Sequence, residues 1–170
     1  MTTMRIVPAS QRVEQGPPVA RKAHAGDVEG IMALVNAFAA EELLLPRTAA
    51  QVLAAIDDYM VVRDARGRVR ACAALREYSP SLAELVSVAV SRAAHGRGLG
   101  RVVVEGVERL ARKRGFDHVF AHTLAPEFFE AIGYARVDRA LYPEKCARPH
   151  TLCFRRSLAP EMMEAASRAA

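Results

Sequence analysis

Leu85-Val86-Ser87-Val88-Ala89-Val90 is followed, after a short connection, by His95-Gly96-Arg97-Gly98-Leu99-Gly100-Arg101. The first run is apolar and rich in valine, and it is bounded by turn residues, which reads as a strand. Beyond the glycines, Leu99, Val102, Val103, Val107 and Leu110 recur at helical spacing over 98–114, and Gly115 suits the residue just past a helix end. The unit is therefore strand, glycine-spaced turn, helix. Glycines let a backbone approach a ligand without a Cβ in the way. A helix that starts there leaves several amide N–H groups without partners, and its dipole favours negative charge. Together these make an anion site of the pyrophosphate type. Arg97 and Arg101 add cationic charge at the same place. The alternative is a turn that merely joins strand to helix.

Two familiar phosphate sites do not fit. A dinucleotide fold places its glycines near the start of a βαβ unit and follows them about 20 residues later with an acidic residue. Here three strand-like runs come first, and the next strand, 118–123, has no acidic end. The Gly-Lys-Ser/Thr of triphosphatase loops is also missing from the chain.

Outward from this unit the chain reads as alternating elements. Residues 1–17 read as a flexible leader, with Pro8, Gly16 and Pro17 and with Pro18 just after it. A strand at 19–23 precedes a helix that Asp27 can cap and that carries Ile31, Leu34, Val35 and Phe38 on one face. Thr48 with Gln51 forms a capping box for a helix over 49–57. Strands at 59–63 and 68–77 flank the hairpin signal Arg66-Gly67, and 82–90 is the next strand. After the helix and strand 118–123 come a helix at 126–132, opened by Pro126, and strands at 134–137 and 151–158. Residues 18–158 thus read as one α/β (α+β) domain, a mixed sheet with helices on both faces, followed by a helical tail at 159–170.

The bulk properties agree. A chain of 170 residues suits one domain. Its net charge of +5 suits an anionic partner, but the basic residues lack the interleaved aromatics of single-stranded nucleic-acid binders. No apolar run approaches the ~20 residues that span a bilayer, and no signal-peptide pattern opens the chain, so a cytoplasmic protein is expected. Three cysteines, Cys72, Cys146 and Cys153, are an odd set without paired spacing, which argues against a disulfide framework or a metal site.

The stretch 87–101 resembles the acetyl-coenzyme A motif of the GNAT-type N-acetyltransferases, Arg/Gln-x-x-Gly-x-Gly/Ala after an apolar strand. Gly98 and Gly100 match, and His95 stands where the family has Arg or Gln. The chain further resembles the acetyltransferase domain of N-acetylglutamate synthases, in a short form without their kinase-like domain. Leu43-Leu44-Leu45-Pro46-Arg47-Thr48, Cys72-Ala73-Ala74-Leu75, Ala83-Glu84-Leu85-Val86, Val119-Phe120-Ala121-His122-Thr123 and Glu127-Phe128-Phe129-Glu130-Ala131-Ile132-Gly133-Tyr134 carry the likeness, with Leu141-Tyr142-Pro143-Glu144. The resemblance implies a GNAT-like, mostly antiparallel sheet of about seven strands. It implies acetyl-CoA as cosubstrate and a small amino acid, glutamate above all, as acceptor, and it brings a homodimer as an expectation.

The resemblance also assigns roles. Glu84 matches the proposed general base, which would take a proton from the substrate ammonium; otherwise it is a strand carboxylate or an ion-pair partner. Thr123 matches a serine near the leaving thiolate, or simply ends a strand. The backbone groups of Val88 and Val90 would pair with the pantetheine arm as an added strand does. His95, Gly96, Arg97, Gly98, Leu99, Gly100 and Arg101 would hold the pyrophosphate, and Phe128 or Phe129, with Phe129 preferred, would line the coenzyme channel. Arg47 and Arg148 match substrate-binding arginines whose forks suit carboxylates; the alternative is two surface arginines. Leu45, Ser87 and His150 complete the acceptor side. His122 alternates with Thr123 on the strand and reads as a structural or surface histidine.

These assignments imply direct transfer in a ternary complex, without an acyl-enzyme, since no cysteine has an evident base beside it in sequence. An acetyltransferase for another small amine or a protein N-terminus, and a non-catalytic acetyl-CoA-sensing module, remain open.

Overall fold

The computed structural model describes residues 16–143 and 150–159. The expected helical tail beyond 159, most of the leader, Cys146 and Arg148 lie outside the described residues. Within them the chain forms strands β1 (Arg21–Lys22), β2 (Tyr59–Arg63), β3 (Val69–Ser79), β4 (Leu82–Val90), β5 (His118–Thr123), β6 (Ala135–Val137) and β7 (Leu152–Ser157). The helices are α1 (Val28–Ala39), α2 (Ala49–Ala54), α3 (Leu99–Lys113) and α4 (Pro126–Ala131). The sheet order is β1-β2-β3-β4-β5-β7-β6, antiparallel throughout except for the parallel pair β4–β5. This is the mixed sheet read from the residues, with the mostly antiparallel, seven-stranded form that the resemblance implies.

Local chemistry explains most boundaries. Thr48 and Gln51 form the expected reciprocal capping box. Pro126 opens α4, and Gly115 follows α3 with φ +84°, a conformation that glycine adopts without strain. The helix foreseen over 49–57 is divided: α2 stops at Ala54 and a 3-10 turn covers Ile56–Asp58. Strand 19–23 shortens to two residues. Asp27 does not cap α1 with its side chain. Its carboxylate instead accepts from the His24 amide and pairs with Arg63 on β2. A nearly buried carboxylate needs that cation more than a helix end needs it.

Strand alternation divides the core. Ala71, Ala73 and Leu75 of β3 face α3, together with Met60, Val62, Val103, Val104, Val107 and Phe154. Cys72 and Ala74 face the other way, toward Ile31, Val35 and Val52 of α1 and α2. Beyond the end of that second layer, Phe120, Tyr142 and Cys153 form a third cluster. Helix α3 sits so close to the sheet that a Cβ on Gly106 would meet the Ala20 Cβ at 2.6 Å. Glu108, buried on the same helix, accepts from the Tyr134 hydroxyl at 2.9 Å and is faced by Arg156, which ties α3 to β7.

Candidate active site

Pairing between β4 and β5 is brief. It joins Leu82 to His118, Ala83 to Val119 and Glu84 to Phe120, and then stops. Past Glu84 the two strands diverge, so the β5-facing edge of 85–90 has no strand partner among the described residues. A bulge accompanies the divergence. The β3 partners Cys72 and Ala74 face Ala89 and Val86, so β4 carries one extra residue there. Ser87 absorbs it with φ +54°, a left-handed conformation uncommon for a residue with a side chain. Ser87 is pinned by the Tyr59 hydroxyl, which donates to its Oγ at 3.3 Å.

The open edge leads into the glycine turn. Gly96 and Gly98 adopt φ +72° and +73°, and Gly98 is the N-cap of α3. No side chain caps this helix, and its first backbone bond runs from Val102 to Gly98. The amides of Leu99, Gly100 and Arg101 therefore have no acceptor within the helix, as an anion site requires. The remaining details differ from simple expectation. His95 Nε2 lies 2.9 Å from the Val90 carbonyl, so one lone pair of Val90 is already engaged, and the ring stacks on Phe38. Arg101 donates to the Ala131 carbonyl at 2.9 Å, clamping α4 to α3. Phe129, expected along the channel, is instead core, 4 % exposed against Tyr134 and Phe154. Its neighbour Phe128 takes the place beside the turn, where a Cβ on Gly100 would meet its ring at 2.7 Å.

Glu84 marks the fork. It is buried, and Arg76 of β3 donates to its Oε2 from Nε at 3.0 Å and from Nη2 at 2.5 Å. The ion-pair reading of Glu84 is present in the geometry, and the carboxylate sits where β4 and β5 part. Thr123 projects to the opposite side of the sheet, alternating with His122, and its Oγ1 accepts from the Ala125 amide at 2.9 Å. His122 was the residue that sequence reasoning set aside. It shares the Glu84 side, with Nδ1 4.0 Å from Glu84 Oε1 and the ring edge-on to Phe120 and Tyr142. The only signal for it was alternation from Phe120, whose partner Glu84 could not be known without the register.

On the α1–α2 side, Asn36 holds the backbone of Arg47 with two hydrogen bonds, at 2.8 and 2.9 Å. The Arg47 guanidinium meets only the Pro46 carbonyl, at 3.4 Å, and no carboxylate among the described residues. Leu45 beside it is half exposed. His150 is exposed with φ +64°, just before β7. Cys72 is fully buried, and burial pushes its thiol up to about 12, against a smaller opposing effect of the Ala89 backbone. A neutral buried thiol is no nucleophile. A separate concavity of about 530 Å³ lies beside α1, but its arginines are already committed, Arg70 to Asp64 and Arg92 to Glu41. Among the described residues there is no metal-ligand cluster and no helix long and apolar enough to cross a membrane.

Comparison with known proteins gives one consistent result. The profile of the acetyltransferase (GNAT) family matches residues 33–137. An uncharacterized N-acetyltransferase of Chlorobaculum tepidum is 32 % identical over 84 % of this chain and 91 % of its own length. The amino-acid acetyltransferase of Mycobacterium tuberculosis is 30 % identical over 76 % of this chain and 75 % of its own. Among solved structures, a Mycobacterium tuberculosis protein crystallised with coenzyme A aligns with a TM-score of 0.73 at 25 % identity, over 82 % of this chain and 99 % of that one. N-acetylglutamate synthase of Neisseria gonorrhoeae, crystallised with coenzyme A and N-acetyl-glutamate, aligns at 0.76 and 23 % identity over 86 % of this chain and 36 % of that one.

Proposed function

The chain belongs to the GNAT acetyltransferase family, and from that premise we propose that this N-acetyltransferase moves the acetyl group of acetyl-CoA to the amine of an amino acid, L-glutamate first among them. The observation that carries the reading is the fork. A strand edge opens beside Glu84 and leads directly into the uncapped N-terminus of α3. A coenzyme has a flexible amide-bearing arm and a pyrophosphate, and these two features match an open strand edge and a cluster of orphan amides.

In this reading the amides of Leu99, Gly100 and Arg101, with Arg97 on the exposed turn, hold the pyrophosphate. Val88 and the free lone pair of Val90 receive the pantetheine arm, and Phe128 rather than Phe129 flanks it. The acceptor lies on the side of the sheet that carries Glu84, near Ser87. Arg47, fixed by its backbone, offers its guanidinium to a carboxylate; Leu45, Arg148 and His150 are the further candidates for that pocket. Glu84 takes a proton from the ammonium, the amine attacks the thioester carbonyl, and the C–S bond breaks directly to the free thiol. The Thr123 hydroxyl has its oxygen engaged by Ala125 but keeps its hydrogen to offer the departing sulfur. Holding both reactants in one cleft supplies much of the rate gain. The inert Cys72 is consistent with a route that needs no acyl-enzyme.

The amino-acid preference has its support in the relatives named amino-acid acetyltransferase and in the Arg47 guanidinium, which meets no carboxylate among the described residues. The test is thiol release from acetyl-CoA with a panel of amino acids. Turnover with L-glutamate well above L-alanine is expected. Equal turnover on uncharged amines would overturn the acceptor, and no turnover with any amine would overturn the enzyme reading.

A further inference from the structure

The Glu84 carboxylate is poorly suited to act alone. Arg76 places two N–H donors on its Oε2, and hydrogen bonds to the charged form hold a carboxylate in that form. A proton received from an ammonium would not stay there. The other oxygen, Oε1, faces His122 Nδ1. The His122 side chain is only 11 % exposed, and its Nε2 is buried without a hydrogen-bond partner among the described residues. Around the imidazole stand Glu84 of β4 with Arg76 of β3 behind it, Cys153 opposite on β7, and the ring of Tyr142, with Arg155 near its hydroxyl. With its hydrogen on Nε2, the neutral ring presents the Nδ1 lone pair to Glu84. Imidazole gains its proton near neutral pH, about 6.5 in the unperturbed side chain.

Resting on the acetyltransferase reading above, we propose that His122 is a positioning residue that acts through Glu84 and holds the proton which Glu84 removes from the acceptor. The ammonium N–H bond breaks toward Glu84 Oε1, and nitrogen keeps the electron pair. With the 4.0 Å separation tightened to hydrogen-bond distance in the ternary complex, the proton passes from Oε1 to His122 Nδ1, leaving an imidazolium beside a carboxylate. The amine attacks the thioester carbon, sulfur leaves with the C–S electron pair, and the second proton shed by nitrogen goes to sulfur. The imidazolium then returns its proton to water, so each turnover releases one proton. Glu84 is thereby ionised again before the next acceptor arrives, and Arg76 sets the direction of transfer by keeping it so.

Two measurements test this. The first needs no turnover: the His122 imidazole NMR signals are titrated in the protein saturated with coenzyme A, in the wild type and in Glu84→Gln. A pH response of the His122 signals that moves to lower pH in the variant, where the neighbouring carboxylate charge is gone, is expected. Signals that do not respond to pH, or that respond identically in the two proteins, overturn the proposal. The second is the pH profile of kcat/KM with L-glutamate and acetyl-CoA for His122→Asn and His122→Gln, using whichever retains the wild-type unfolding midpoint. Loss of the acid limb with at least a tenfold lower plateau is expected. A profile of unchanged shape, whatever its height, marks His122 as merely structural. Absent turnover in the wild type counts against the enzyme reading, and the NMR titration still decides the Glu84–His122 coupling.

Discussion

Two glycines on one helix should respond oppositely to the same added methyl. Gly106→Ala and Gly100→Ala both remove a poor helix former, and in a helix interior that change alone gains about 1 kcal/mol. At Gly106 the new Cβ would sit 2.6 Å from the Ala20 Cβ and 3.2 Å from Met60 Cε. Met60 can swing aside, but Ala20 has no rotamer to change. Its Cβ retreats only if α3 and the backbone just before β1 separate by nearly an ångström. Overpacking of a tight core costs about 1–3 kcal/mol, and a rigid contact belongs at the upper end. The net expectation is a loss of about 2 kcal/mol, which for a chain of this size lowers Tm by about 4–8 °C. At Gly100 the clash is with the Phe128 ring, which is partly exposed and free to rotate. Gly100→Ala should therefore melt within about 2 °C of the wild type, yet raise KM for acetyl-CoA, because Phe128 is displaced beside the coenzyme turn. Thermal unfolding read by circular dichroism, with steady-state kinetics, separates the two. A Gly106→Ala protein as stable as the wild type would refute the claim that α3 is held against the backbone just before β1 by a contact with no slack.

Other outcomes follow from the site and its surroundings. Glu84→Gln should slow turnover by about 10²–10⁴, the range for a lost general base, with circular dichroism confirming that the fold survives loss of the Arg76 ion pair; kinetics within tenfold of the wild type would remove Glu84 from that role. Arg47→Ala should raise KM for L-glutamate roughly tenfold to a hundredfold with kcat retained, since one hydrogen bond to a charged group contributes about 1.5–3 kcal/mol. Asp64 is raised by burial but held at about 2 by the Arg68 and Arg66 amides and the Arg68 guanidinium, which outweigh it. Its stabilisation is therefore full above the unfolded carboxyl value of about 3.9 and is lost as pH falls toward 2, so Asp64→Asn should destabilise the protein at pH 6 and converge with the wild type in acid. Iodoacetamide at pH 8 should leave Cys72 unlabelled in the native protein and react with it in guanidinium; rapid native labelling would contradict its burial.

The parts of this molecule legible in the sequence are those fixed within a few residues. The Thr48–Gln51 box, Pro126 and Gly115 each act on their own helix end, and the valines of β4 and α3 announce their periods directly. Asp27 misleads because its position suits a cap while Arg63, 36 residues away, claims its carboxylate. Phe128 and Phe129 are adjacent aromatics on a short helix, and only the approach of Gly100 decides which one faces the turn. The left-handed Ser87 leaves no trace in residue type, since serine is not a residue that announces positive φ. The nearness of His122 to Glu84 depends on the register of a parallel pair, which no local pattern encodes.

The divergence of β4 from β5 also makes the sheet a jointed object. The half from β1 to β4 carries α3, the half from β5 to β7 carries α4, and within the sheet three residue pairs join them, with α3 reaching across to α4 and β7 from outside it. A sheet normally has two edges; this one has an interior rim as well, a row of backbone groups that no strand pairs among the described residues and that His95 touches only at Val90. A bound arm lying along that rim would work as a splint, bridging the halves and closing the rim to solvent. Amide hydrogens at Val88 and Val90 would then report occupancy by slowed exchange, and the melting point would climb with cosubstrate concentration as mass action requires. If the donor lies along this rim as proposed, it would also brace the enzyme there, so the protein without acetyl-CoA should be the form more readily unzipped or trimmed.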